Sequence, residues 1–540
     1  MSADKRVCLA YSGGLDTSTI LKWLILEGYS VVCFLADLGQ EEDFAAVEKK
    51  ALALGAERMV IDNLQQEFVD ELIFRAIQCN AIYEDRYLLG TSLARPVIAR
   101  AQVQAAHKYN CKILSHGCTG KGNDQVRFEL AWKACDPSLS VIAPWRMPSF
   151  FNRFAGRQDL LNFAAENNIP VSSTPKAPWS QDDNLAHCSY ESGILEKPDM
   201  PAPKDVWTRT VGAYSHIAPD PNGSQYPLEA PDVPTKFSVT FKEGIPVKLE
   251  VEGGETVTGS LELFKALNDI AGRNGVGRID IVESRFIGLK SRGCYDSPAM
   301  TVLRLAHVDI EGMTLDSKVK QIMAYIGNEW SQCLYNGMYF SPERELLENS
   351  IEFSQKHVAG KVNMMVYKGA AHVLSRSAPE SNLYSEEQAS MDTLEGFSPE
   401  DTSGFIAIQA IRLEKYGAAK IQHGEPLARS STSCFLARVE EKPRHFATWT
   451  FLQDRYSYTS AFQLTLDLAN VAPAKNLVGW GSNAILNFAR DLRKTGSKLL
   501  VEDDFTAVFG RARVDDTMRA IFKKNVLREG FIQDMHPGGS

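Results

Sequence analysis

Two glycine-rich stretches hold the residue types best suited to chemistry. The first is Ser12-Gly13-Gly14-Leu15-Asp16-Thr17-Ser18. Its glycines let backbone N–H groups crowd a ligand, and Ser12, Thr17 and Ser18 add hydroxyl donors. An apolar run, Val7-Cys8-Leu9-Ala10-Tyr11, precedes it, and Ile20, Leu21, Trp23 and Leu24 follow at helical spacing. A glycine turn between a strand and a helix N-terminus is an anion trap, because free amides and the positive end of the helix dipole point the same way. The spacing is neither G-x-x-x-x-G-K-[ST] nor G-x-G-x-x-G, so a phosphate held here is not gripped by a Walker lysine.

The second stretch runs Ser115-His116-Gly117-Cys118-Thr119-Gly120-Lys121-Gly122-Asn123-Asp124-Gln125-Val126-Arg127. Its three glycines again permit close backbone approach. Asn123, Asp124 and Arg127 offer an amide, a carboxylate and a guanidinium, which suits the ammonium and carboxylate of an amino acid. Alone, the trio is equally a capped, salt-bridged surface helix. Beside a phosphate loop in one sheet, it points to a small amino-acid substrate.

The surrounding pattern supplies such a sheet. Apolar runs at 7–11, 31–35, 59–61 and 112–115 alternate with helical patterns such as Phe44, Val47, Ala51 and Leu54. A helix through His107 opens in Leu93-Ala94-Arg95-Pro96. This alternation predicts a mostly parallel, doubly wound α/β sheet, whose ligands sit at the carboxyl ends of the strands. Asp37 and Ser115-His116-Gly117 fall on that rim with the first loop. From about Asn168 prolines cluster, and a second loop-like run spans 220–234. Strand-like alternation at Phe237, Val239 and Phe241 and at Val247, Leu249 and Val251 follows, then a helix capped by Ser260 and a hairpin within 361–374. That is α+β organisation. Ile408, Ile411, Tyr416 and Ala419 outline a further helix, and 422–433 reads as a linker. Beyond it, alternation at Phe462 to Leu468 and helical patterns after Ser482 and around Met518 predict a small folded appendage. The expected domains are 1–168, 169–400, a helix at 401–424, and 425–540.

Composition narrows the partners. The 540 residues carry 58 Lys+Arg against 67 Asp+Glu, a net charge of −9, which disfavours broad nucleic-acid or membrane-surface binding. The 10 cysteines form no C-x-x-C pair or zinc-like spacing, so no metal site is expected. With no signal-like N-terminus or 18-residue apolar run, the expected setting is cytoplasmic.

The first loop resembles the SGG-x-D-[ST]-S signature of the PP-loop ATP pyrophosphatases. Longer motifs resemble one branch of these, the argininosuccinate synthases: Ala10 to Ser18, Tyr83-Glu84-Asp85-Arg86-Tyr87 through Pro96, Ser115 to Glu129, and Ala143-Pro144-Trp145-Arg146. Pro178-Trp179-Ser180, Gly277 to Glu283 and Lys290 to Tyr295 continue the match, which spans about 5 to 420. The resemblance implies ATP-dependent ligation of citrulline and aspartate through a citrullyl-adenylate, with AMP and pyrophosphate released. It implies Mg²⁺ with the ATP, no prosthetic group, and a homotetramer built partly by the helix at 408–420. ATP would meet Ala10, Tyr11, Ser12, Gly13, Gly14, Leu15, Asp16, Thr17 and Ser18, then Ala36, then Ser115 through Asn123. Citrulline would meet Tyr87, Ser92, Asn123, Arg127, Ser180, Ser189, Glu283 and Tyr295. Aspartate would meet Tyr87, Thr91, Thr119, Asn123 and Asp124. Asp16, Asp124 and Arg127 are the implied catalytic residues, and His116 ranks below them. Competing readings are another PP-loop adenylating enzyme, such as an amidotransferase synthetase or a tRNA-thiolating enzyme, and a non-catalytic scaffold. An amidotransferase synthetase would usually need an ammonia-supplying domain, acidic charge and unclustered cysteines weigh against a tRNA-thiolating enzyme, and the intact Asp16, Asp124 and Arg127 weigh against a scaffold.

Overall fold

A computed structural model describes residues 5–170, 179–210, 230–392 and 398–424. The described residues up to 391 form one compact unit. Its first sheet is parallel with order β3-β2-β1-β4-β5, built from β1 (Arg6–Ala10), β2 (Ser30–Asp37), β3 (Arg58–Asn63), β4 (Ile113–Ser115) and β5 (Ser140–Ile142). Continuous apolar strands are what a sheet covered on both faces requires. Alternation divides them accordingly: Val7 and Leu9 join one apolar cluster with Ile20, Leu21, Val47 and Phe163. Cys8 and Phe34 join the other, with Leu93, Val97 and Trp132. So α1 (Leu15–Leu26) and α2 (Phe44–Ala53) cover one face. The chain then passes α3 (Gln65–Glu67), a π-helical turn at Phe68–Ile73 and α4 (Phe74–Gln78). The long α5 (Gly90–Lys108) and α6 (Asp124–Cys135) cover the other face, and α7 (Pro148–Phe151) and α8 (Arg157–Glu166) return to the first.

Two antiparallel sheets follow. One is β11-β12-β7-β6, from β6 (Ser180–Asn184), β7 (His187–Glu191), β11 (Arg278–Ser284) and β12 (Lys290–Asp296). The other is β10-β9-β8-β13-β14, from β8 (Thr235–Lys242), β9 (Ile245–Val251), β10 (Thr256–Thr258), β13 (Gly360–Tyr367) and β14 (Ala370–Ser377). Helices α9 (Ser260–Arg273) and α10 (Pro298–Thr314) pack on the second of these, and α11 (Ser317–Tyr335), α12 (Pro342–Gln355) and the short α13 (Glu386–Ala389) complete the unit. The α/β class with a following α+β region is as expected. In the second unit, α14 (Pro399–Gln422) contains the expected helix, with Ser398 accepting from the Glu400 N–H.

Two local expectations shift. Helix α5 begins at Gly90 rather than Leu93, after Leu89 at φ +64°, so Pro96 lies inside it. A Cβ at position 90 would collide with the His187 ring, which explains glycine at this start. At α9 the cap is Gly259 (φ +92°), and Ser260 is the first helical residue, its Oγ accepting from Gln66 Nε2 at 2.6 Å. The expected loop at 220–234 is described only from residue 230, and the appendage patterns from 425 onward lie outside the described residues.

Candidate active site

In the strand order 3-2-1-4-5 the chain reverses direction across the sheet between β1 and β4. Ligands of open α/β sheets bind at this crevice, beyond the strand carboxyl ends. β1 runs into the first glycine loop and β4 into the second. The loops touch: a Cβ on Gly117 would lie 2.8 Å from Thr17 Cγ2.

The first loop is held from inside. Gly13 has φ +75°, a conformation natural to glycine. Ser12 Oγ and Thr17 Oγ1 are 3.2 Å apart, and Tyr11 OH and Ser18 Oγ are 3.1 Å apart. Ser12 and Gly14 stay exposed while Thr17 and Ser18 are buried. Asp16 lies in the first turn of α1, and burial raises its carboxyl above the usual range against the opposing charge of Arg157. Ala36 is buried at the end of β2, its carbonyl accepting from Gln40 Nε2.

The second loop is pinned by Gln125 Nε2, which donates to the carbonyls of Gly120 and Gly122, and from outside by the β11–β12 turn. There Phe286 N–H donates to Asn123 Oδ1 at 3.1 Å and Arg285 Nη1 to the Lys121 carbonyl at 3.3 Å. Lys121 itself is exposed. His116 is 1% exposed, with Nε2 3.0 Å from Glu129 Oε1 and Nδ1 accepting from the Cys118 N–H, a packed structural histidine.

Between the second loop and the β11-β12-β7-β6 sheet lies a cavity of about 320 Å³. Tyr87, Thr91, Thr119, Asn123 and Asp124 line it, so every residue expected to meet aspartate is there. Arg127, Ser180, Ser189, Glu283 and Tyr295 also line it. Strand register explains how they converge: Asp182 pairs with Ser189 and Ser180 with Glu191 across β6 and β7, and Tyr295 pairs with Ser189 across β12 and β7. Ser92 is not brought to the cavity; it is fully buried in α5 and its hydroxyl has no partner among the described residues.

Charge dominates this pocket. Arg95 Nη2 lies 2.7 Å from Asp124 Oδ2 and 2.5 Å from Asp182 Oδ2, and Arg127 Nη1 lies 3.0 Å from Asp124 Oδ1. Burial opposes ionisation of Asp124, but Arg95 and then Arg127 outweigh it and hold the carboxyl well below the usual range. Arg127 Nε donates to the Tyr335 carbonyl at 2.9 Å, and its guanidinium lies over the Tyr335 ring. Glu283 is the opposite case. Burial lifts it to about 7, against a 3.0 Å hydrogen bond from Tyr295 OH and with Glu191 adding to the rise. Thr91 Oγ1 lies 2.9 Å from His187 Nε2, an imidazole that burial first, then Arg209 and Arg95, push down to about 3 and so keep neutral.

Sequence reasoning missed Arg95, Asp182, Glu191 and Arg285 as parts of this site. Arg95 stood in a recognised motif, and the Ser180-x-Asp182 spacing on one strand face was a usable signal. Among the described residues no cluster of three or more His, Cys, Asp or Glu could hold a metal ion.

Comparisons with known proteins point to one family. Residues 6–170 match the family described as arginosuccinate synthase N-terminal HUP domain, and 179–416 the arginosuccinate synthase C-terminal domain. Argininosuccinate synthase of Saccharomyces cerevisiae is 52% identical over 428 residues, covering 78% of this chain and 99% of the relative. The Schizosaccharomyces pombe protein is 52% identical over 77% of this chain and 98% of its own length. The Homo sapiens protein is 51% identical with the same coverage, 77% and 98%. With a parallel-sheet HUP domain, a charged cavity bordered by the loop that follows β4 and this identity over most of its length, the chain belongs to the argininosuccinate synthase family.

Proposed function

We propose that the two glycine loops and the adjoining cavity are the site at which this enzyme performs the family's reaction. That reaction is the ATP-dependent ligation of citrulline and aspartate to argininosuccinate, a step of arginine biosynthesis and the urea cycle. The supporting observation is the convergence in one cavity of the aspartate set and of the citrulline set apart from Ser92, against a loop that touches the first glycine loop.

The citrulline ureido oxygen attacks the α-phosphate of ATP, the α–β P–O bond breaks, and pyrophosphate leaves. The loop's backbone amides and the exposed Ser12 hydroxyl face the charge that develops on pyrophosphate, where fixed donors act most strongly, while the Thr17 and Ser18 hydroxyls brace the loop from inside. The aspartate amine then attacks the ureido carbon and AMP departs with the oxygen. Arg127 holds the citrulline carboxylate, with Ser180, Ser189, Glu283 and Tyr295 on the sheet floor. Thr91, Thr119, Asn123 and Asp124 hold aspartate, and Tyr87 stands between the two substrates. Holding three reactants in contact removes entropy otherwise lost on the way to the transition state.

Mg²⁺ fits as a companion of the ATP phosphates rather than as a resident of a protein cage. The first loop offers hydroxyls and the single carboxylate of Asp16, a donor set suited to a hydrated oxygen-seeking cation. When bound it would neutralise phosphate charge. We further propose the domain limits at 168 and 400, a cytoplasmic setting and a homotetramer. The tetramer is supported by Phe405, Ile408, Ile411 and Tyr416 of α14, large apolar side chains left exposed. No helix of the described residues is long and apolar enough to cross a membrane.

The test is incubation with ATP, citrulline and aspartate. AMP and pyrophosphate should form together and depend on citrulline, whereas stoichiometric ADP would overturn the reading.

A further inference from the structure

The first loop lacks a lysine of its own, yet a lysine reaches it from elsewhere. Lys50, in the last turn of α2, places Nζ 2.6 Å from the Gly13 carbonyl oxygen, to which it donates. Ser18 Oγ donates to the same oxygen at 3.3 Å. Helix α2 is seated directly on the loop, since a Cβ on Gly13 would lie 3.1 Å from a Val47 methyl. Lys50 is half-buried, and Glu42 is the carboxylate whose charge acts on it. Ordering a long, flexible cation against one carbonyl costs side-chain entropy and desolvation, so the contact needs a return.

Peptide geometry says what that return is. All described peptide bonds are trans. In a trans peptide the C=O and the following N–H point in opposite directions. A donor that draws the Gly13 oxygen toward α2 therefore turns the Gly14 N–H the other way, out of the loop. Gly14 is exposed, and its N–H has no acceptor among the described residues. We propose that Lys50 is a positioning residue for pyrophosphate: it locks the Gly13–Gly14 peptide so that the Gly14 N–H is presented to the leaving group. This rests on assigning the first loop to the ATP phosphates.

Gly14 permits a direct test. Its φ of −67° is the value proline imposes, and a Cβ there meets only Ser12 Oγ at 3.5 Å, so Gly14→Pro deletes the N–H with little steric conflict. In the full-length protein, pyrophosphate product inhibition is measured for Lys50→Met, Gly14→Pro and the double variant. Lys50→Arg serves as the conservative rescue, and melting temperature reports folding. Each single variant should weaken pyrophosphate inhibition about tenfold, the worth of a hydrogen bond to a charged group. The double variant should be no worse than either single one, because both remove the same N–H. Citrulline and aspartate KM should be unchanged, and Lys50→Arg should recover most of the loss. If the two losses multiply, or Lys50→Met weakens all three substrates alike, Lys50 does not act through this peptide. A Lys50→Met result near wild type beside a weakened Gly14→Pro overturns the Lys50 role and leaves the loop assignment standing. An unchanged Gly14→Pro removes the loop assignment itself, and the inference with it.

Discussion

Arg95 and Asp124 are joined by a 2.7 Å charge-assisted hydrogen bond, and the same guanidinium nitrogen reaches Asp182. Asp124 therefore has both oxygens engaged, one by Arg95 and one by Arg127. Asp124→Asn keeps the shape but loses the charge, and a charge-assisted hydrogen bond is worth about 1.5–3 kcal/mol. Argininosuccinate synthesis should fall at least about tenfold. Citrulline-dependent exchange of labelled pyrophosphate into ATP needs no aspartate and should persist. Equal loss of both activities would show that Asp124 serves the fold rather than the second substrate.

Arg127→Lys should show the reverse emphasis. Arg127 holds the Tyr335 carbonyl through Nε and Asp124 through Nη1, and a lysine point charge cannot do both and still offer a fork to a carboxylate. Pyrophosphate exchange should weaken, with the citrulline KM rising more than that of aspartate. An unaltered citrulline KM would place the citrulline carboxylate elsewhere.

Glu283 carries a pH signature. Its folded value of about 7 lies above the 4.5 expected when unfolded, so the native state binds the extra proton between those limits. Stability contributed by this group is complete below pH 4.5 and is lost as pH rises to about 7, a change of about 3 kcal/mol. Asp124, held low, works in the other direction, losing its contribution only on strong acidification. Urea unfolding from pH 4.5 to 8 should show Glu283→Gln gaining on the wild type as pH rises, because the amide has no proton to lose. Parallel curves for the two proteins would mean that Glu283 titrates normally.

The relatives are matched over 98–99% of their length by 77–78% of this chain, and the match to the family's C-terminal domain stops at 416, inside α14. A chain stopped after Pro426 should keep its kcat and the KM of all three substrates. Loss of catalysis in a truncated protein that still melts cooperatively would make the remaining segment part of the active assembly.

Much of this arrangement was legible in order along the chain. Both glycine loops announce themselves through local composition, and the apolar runs around Val7 and Val31 mark a two-faced parallel sheet because each residue is independently apolar. The ion partners were not legible. Arg95 and Asp182 lie 87 residues apart, and they meet only because β6 is brought against α5 with one particular register. A slip of one residue in β6 would turn Ser180 and Asp182 away from the pocket, and no local pattern encodes that choice. Ser92 errs the other way: its neighbours Tyr87 and Thr91 reach the cavity, while helical rotation carries its hydroxyl into the interior.

The hairpin of β11 and β12 has a mechanical consequence. Its strands carry Glu283 and Tyr295, while its turn, through Arg285 and Phe286, ties down the second glycine loop. On the proposed assignments, the loop that would meet ATP and the floor that would lie beneath citrulline are thus two ends of one lever. Partial melting of that hairpin would slacken both at once, so affinity for ATP and for citrulline should fade together on mild heating rather than one after the other.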